Sequence, residues 1–144
     1  MQLERIAKTL GYTGLIPFIV FSAGTWMTLP LMESAHTALM TYAAIILSFM
    51  GAIHWGLAMS QNSSHANFQL AASVVPALLG WLALLIPMLY GYGLLALSFV
   101  VLYFADKLAR DKGLVPSWYL PMRVKLTTVV VLCLVIAALS VYVF

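Results

Sequence analysis

The chain is 144 residues long, 64% hydrophobic and 8% charged, with a mean hydropathy of +1.04. So little polar surface excludes a water-soluble domain and leaves an all-α, multi-pass membrane protein as the class. The net charge of +3 is no argument for nucleic acid, because the basic residues flank apolar runs and line no soluble face.

Arg5 and Lys8 precede an apolar run from Leu10 to Leu31. A secretory h-region is about 7–15 residues long, so this longer run, interrupted by Pro17, predicts a retained first span over Thr9–Pro30. A short connection, Leu31–His36, leads to a second span over Thr37–Met59. Ala44, Ser48, Ala52, Gly56 and Ser60 recur there at every fourth residue. Such a strip of small side chains predicts close helix packing within the chain, with a homodimer seam as the alternative. His54 lies about 9 Å from the span's end by helical rise and about 160° from the strip, on the face of Leu47, Met50 and Gly51. Ionisable groups at such depth are costly and mark functional sites. The competing expectation for His54 is a neutral imidazole bonded to a backbone carbonyl.

After the connection Ser60–Asn67, a third span is predicted over Phe68–Pro87, with Pro17, Pro76 and Pro87 expected to kink or end their helices. The fourth span is short, Tyr90–Ala105, and the fifth covers Val124–Phe144, with Cys133 as a packing residue. Each is near the about 20 residues needed to cross hydrocarbon. The expected architecture is one transmembrane domain over residues 1–144, a bundle of five helices joined by short connections as antiparallel neighbours. All seven basic residues then fall on one side: Arg5 and Lys8, and after span four Lys107, Arg110, Lys112, Arg123 and Lys125. This predicts a cytoplasmic N-terminus and an outside C-terminus in a bacterial inner (plasma) membrane. Tyr12, Trp55, Phe68, Tyr103, Trp118 and Tyr119 are expected as an inner aromatic belt, and Trp26, Tyr90, Tyr92, Tyr142 and Phe144 as an outer one.

Asp106 closes span four and Arg123 opens span five, bounding a basic inner loop over residues 106–123. In a compact bundle both reach the depth of His54. A carboxylate beside an imidazole and a guanidinium fixes the His tautomer and holds an anionic headgroup or a quinone-like oxygen. The candidate ligand-binding set is therefore His54, Trp55, Asp106, Trp118, Tyr119 and Arg123. Against it stands a simpler arrangement, Asp106 paired with Arg110 at i,i+4 and Arg123 anchoring span five. The loop is expected on the membrane surface, where anionic lipids attract each basic residue by about 1 kcal/mol.

The chain carries no His-Glu-x-x-His, Gly-x-Ser-x-Gly, Cys-x-x-Cys or phosphate-loop pattern. It is expected to be no enzyme and to hold no cofactor or metal, since His36 belongs to the opposite side from His54 and His65. Haem through a His/Met pair, with eight methionines in the chain, or a quinone, remains a minor alternative.

The runs Tyr42-Ala-Ala-Ile-Ile-Leu-Ser48-Phe49-Met-Gly51-Ala-Ile-His54-Trp55-Gly56, Pro76-Ala-Leu-Leu-Gly80-Trp81 and Pro116-Ser-Trp118-Tyr119-Leu-Pro-Met-Arg123-Val-Lys-Leu126-Thr127 resemble an uncharacterised family of small multi-pass bacterial membrane proteins. Its eukaryotic relatives, called transmembrane protein 69, look mitochondrial. The resemblance covers most of the chain and is most specific in Ser-Phe-x-Gly-x-x-His-Trp-Gly. It implies no ligand or reaction, but singles out His54, Trp55, Trp81, Asp106, Trp118, Tyr119 and Arg123. By analogy it hints at a respiratory membrane. The functional expectation is a lipid-like-ligand-binding or accessory/assembly protein of a membrane complex. Its partners would be membrane lipids, a membrane protein or a second copy. The alternatives are a small proton-linked transporter or channel using His54, and a haem- or quinone-binding redox protein.

Overall fold

A computed structural model describes residues 1–60 and 66–144; the centre of the connection Ser60–Asn67, with His65, lies outside the described residues. The described residues form six helices, α1 (Gln2–Thr13), α2 (Leu15–Gly24), α3 (Leu31–Ser60), α4 (Ala66–Leu85), α5 (Met88–Asp111) and α6 (Tyr119–Val143). α1 and α2 form one column from Gln2 to Gly24, so five columns are long and apolar enough to span a membrane. The two meet at Gly14, whose carbonyl accepts a hydrogen bond from Tyr42 Oη at 2.9 Å. Pro17 sits in the first turn of α2, where a missing N–H costs little. Pro76 is buried inside α4, and Pro87 caps the start of α5.

The helices outrun the apolar spans, because helical hydrogen bonding continues through charged residues that hydropathy excludes. α5 does not stop at Ala105 but runs to Asp111, and α6 begins at Tyr119. The inner loop expected over residues 106–123 therefore shrinks to residues 112–118, and Asp106 lies inside a helix. Lys, Leu, Ala and Arg in that stretch are all good helix formers.

α3 is central, packed against α2, α4 and α5, while α6 leans on α5 and α2, and α1 lies beside α2 and α6. Buried residues at three- and four-residue steps define the inward faces. On α3 these are His36, Met40, Ala43, Leu47, Met50 and His54, and on α5 Tyr92, Leu95, Phe99, Leu102 and Asp106. α6 contributes Tyr119, Arg123, Leu126, Val130, Leu134 and Ala137. This spacing keeps one stripe on a neighbour along the whole helix.

The strip of small residues on α3 is used only in part. Ala44 is buried against Gly80, and a Cβ on Gly80 would stand 3.2 Å from the Ala44 carbonyl oxygen. Ser48 is half-buried, but Ala52, Gly56 and Ser60 are exposed, and a Cβ at Gly56 would meet none of the described residues within 4 Å. A four-residue repeat drifts by about 40° per step on an α-helix, so the strip turns about 160° from Ala44 to Ser60 and leaves the α4 seam. Gly51 replaces it in the seam: a Cβ there would lie 2.8 Å from the Ser73 carbonyl oxygen and 3.1 Å from the Pro76 ring.

Two expected belt residues are core residues instead. Tyr92 is 1% and Tyr119 7% exposed, each with its hydroxyl bonded to a buried polar partner. Trp26, Tyr90, Tyr142 and Phe144 are exposed.

Candidate functional site

The inward stripes of α3, α5 and α6 each end in a polar residue near the basic end of the bundle, and these residues meet. His54 Nε2–H donates to Asp106 Oδ1 at 2.9 Å, and Arg123 Nε donates to Asp106 Oδ2 at 2.6 Å. Tyr119 Oη donates to Oδ1 at 3.4 Å, and His54 Nδ1 lies 2.5 Å from the carboxamide of Gln69 on α4. His54 is 0%, Gln69 1%, Asp106 1% and Arg123 2% exposed. Four helices are thus clamped by one cluster, each bond crossing a helix seam. Asp or Arg alone at the middle of a membrane helix costs about 2.5–3.5 kcal/mol by insertion scales, and pairing offsets much of this.

The simpler pairing is overturned: Arg110 is exposed, and Asp106 turns inward to Arg123. Nor does His54 bond a backbone carbonyl; both ring nitrogens meet side chains.

Beside the cluster lies an apolar cavity of about 340 Å³ between the α1–α2 column, α3, α5 and α6. Its wall includes Leu10, Phe18, Phe49, Ile53, Met122 and Leu126, and its polar edge is Tyr119, Arg123 and Thr127. Among the described residues, Arg123 Nη2 and Thr127 Oγ1 are buried with no hydrogen-bond partner, as is Gln69 Nε2. Of the six expected ligand-binding residues, Trp118, Tyr119 and Arg123 line the cavity. Asp106 holds Arg123 from behind, and His54 in turn holds Asp106. Trp55 is not brought to the site: it is 47% exposed, its indole N–H directed at Met59 Sδ. Its neighbour His54 takes the inward face, and adjacent helical residues diverge by about 100°.

Gln69 and Thr127 were not singled out from the sequence. Gln69 carries a readable signal, since Gln69, Ser73, Pro76, Gly80 and Ala83 form the buried face of α4. Thr127 follows Arg123 by four residues on the inward face of α6. A second buried cluster closes the other end, where His36 Nδ1 lies 2.8 Å from Tyr92 Oη and Nε2 lies 3.3 Å from Ser140 Oγ. His36 and His54 share one face of α3, about five turns and about 27 Å apart by rise.

Fold and site together define a multi-pass helical membrane protein with a buried carboxylate–guanidinium pair set against an apolar cavity. Residues 3–139 match the model of the family described as "Protein of unknown function (DUF3429)", and the chain belongs to that family. It is also similar to Transmembrane protein 69 of Xenopus tropicalis, 37% identical over 134 residues, covering 90% of this chain and 52% of the relative. The chain thus spans about half the length of that relative. No solved structure matches the chain.

Proposed function

We propose that the protein binds one lipid-like molecule in the cavity beside Arg123, as a non-enzymatic binding or accessory component of a bacterial inner membrane with this end facing the cytoplasm. The observation that supports this reading is the joining of an apolar cavity of about 340 Å³ to a buried guanidinium whose Nη2 has no partner among the described residues. That volume lies at the lower end of the about 300–1,000 Å³ of ligand pockets, which join apolar walls to a few placed polar groups. A structural ion pair alone explains His54, Gln69, Asp106 and Tyr119, but not the space beside them. The proton-linked transport reading is less favoured, because His54 is fully buried and engaged at both nitrogens. Lys107, Arg110 and Lys112 are exposed at the same end, where anionic headgroups would gather.

The test fills the cavity without touching the cluster. Ala7 lines it from α1, and Ala7→Phe places a ring there. Native mass spectrometry of gently extracted wild type is expected to show a retained mass of lipid size beyond the 15.8 kDa chain. In Ala7→Phe its occupancy should fall about tenfold, with helicity unchanged. Equal retention in both proteins would place the lipid on the outer surface and end this reading.

A further inference from the structure

We infer that the cavity selects an uncharged lipid presenting a carbonyl oxygen, which accepts a hydrogen bond from Arg123 Nη2. This rests on the lipid-binding reading above and adds the chemistry of the bound group.

Arg123 donates from Nε to Asp106 Oδ2, while Nη2 is buried without an acceptor among the described residues. A guanidinium carries donors only, so its missing partner has to be an acceptor. Among the described residues no acceptor is within hydrogen-bond reach of Nη2: Asp106 Oδ1 accepts from His54 and Tyr119, and Oδ2 receives Nε alone. The acceptor therefore comes from outside the cluster, and Arg123 borders the cavity. Thr127, 8% exposed with an unpartnered Oγ1, stands one helical turn further along the same wall and offers a second polar contact. A lipid oxygen at this edge, with its hydrocarbon along Leu10, Phe18 and Phe49, satisfies the unpartnered nitrogen and fills the apolar space together.

Asp106 and Arg123 neutralise each other. The Gln69 carboxamide fits its site in either of two orientations related by a half-turn. With its nitrogen toward His54 Nδ1, the imidazole is neutral, keeps Nε2–H on Asp106, and Gln69 Nε2 gains the partner it otherwise lacks. The whole cluster then carries no net charge. A carboxylate or phosphate added to it would be an uncompensated charge in a low-dielectric site, whereas a carbonyl oxygen brings none. Two lipid classes present that group, a quinone with an alkyl tail and the ester of a neutral glyceride.

The experiment offers the full chain in detergent micelles four ligands of matched tail length: a short-chain alkylquinone, a diacylglycerol, a fatty acid at a pH where it is ionised, and an alkane. Binding is followed by quenching of Trp118, which lines the cavity, and by native mass spectrometry. A carbonyl ligand is expected to bind about tenfold or more tighter than the alkane and the fatty acid. Quinone alone or both carbonyl ligands binding separates the two sources. Arg123→Lys keeps a cation for Asp106 and lacks Nη2, and it should reduce the preference for carbonyl over alkane to near unity. If that variant does not fold, Thr127→Val and the ligand series still decide, Thr127→Val lowering carbonyl binding alone. Tighter binding of the fatty acid would overturn the uncharged class, and equal binding of the alkane would overturn oxygen recognition, while both would leave lipid binding standing. Binding of none of the four would overturn the lipid-binding reading itself.

Discussion

Asp106→Leu is expected to destabilise the bundle by about 3–5 kcal/mol, the cost of leaving one member of a buried ion pair without its partner. Arg123 is 2% exposed, and its Nε has no acceptor once Asp106 is gone. His54 and Tyr119 lose the same oxygen. Against a total stability of about 5–15 kcal/mol for a typical domain, this is enough to lower the folded yield. Adding Arg123→Met to Asp106→Leu is expected to recover most of the loss, since an apolar pair of similar volume removes both charges and their desolvation together. Thermal or denaturant unfolding in one detergent, run on both single variants and the double, measures the coupling. A double variant as unstable as the sum of the singles would show that the pair does not act as a unit. The recovered double variant should also retain about tenfold less lipid, because it lacks the guanidinium at the edge of the cavity. Stability and ligand retention are thereby separable.

The second large effect is predicted at Gly91, in the first turn of α5. Its N–H donates to the Pro87 carbonyl at 3.0 Å, and α5 is joined to α4 only through Ile86 and Pro87. A Cβ at Gly91 would collide with the Ala83 carbonyl oxygen and stand 2.5 Å from Met40 Cε. The methionine can move aside, but the carbonyl belongs to the α4 backbone and the short connection leaves α5 little room to shift. Gly91→Ala should therefore cost about 1–3 kcal/mol. Gly93 lies two residues further along the same helix, where a Cβ would meet nothing within 4 Å. Gly93→Ala should stabilise by up to about 0.5–1 kcal/mol through helix propensity. Opposite shifts in the unfolding midpoints of these two variants are the expected result. A common sign would show that close approach at Gly91 does not govern the α4–α5 seam.

Much of the candidate site could be read in one dimension because it lies on repeating helical faces. His54, Asp106 and Arg123 stand out as ionisable residues in or at the ends of apolar runs, and charge distribution puts them at one end of the bundle. Convergence could not be read that way, since a competing pairing of Asp106 with Arg110 satisfies the same sequence. The choice was made across the α5–α6 seam, where Arg123 reaches Asp106, while Arg110, one turn nearer the end of α5, stays exposed. Tyr92 and Tyr119 illustrate the same limit: composition places tyrosine at the membrane surface, whereas hydroxyl partners at His36 and Asp106 draw these two inside. Gln69 was overlooked because its value lies in its partner on another helix.

Composition, hydropathy and spacing by themselves determined the membrane class and the number of apolar columns, because transfer from water to hydrocarbon depends on each segment's own side chains. They also determined the clustering of basic residues on one side. The tertiary structure alone decided which face of each helix is inward, how far the helices outrun the apolar runs, and where the cavity opens beside Arg123. Those features depend on packing and on polar groups finding partners across helix seams, and the free energy of such contacts belongs to pairs of residues distant in the chain.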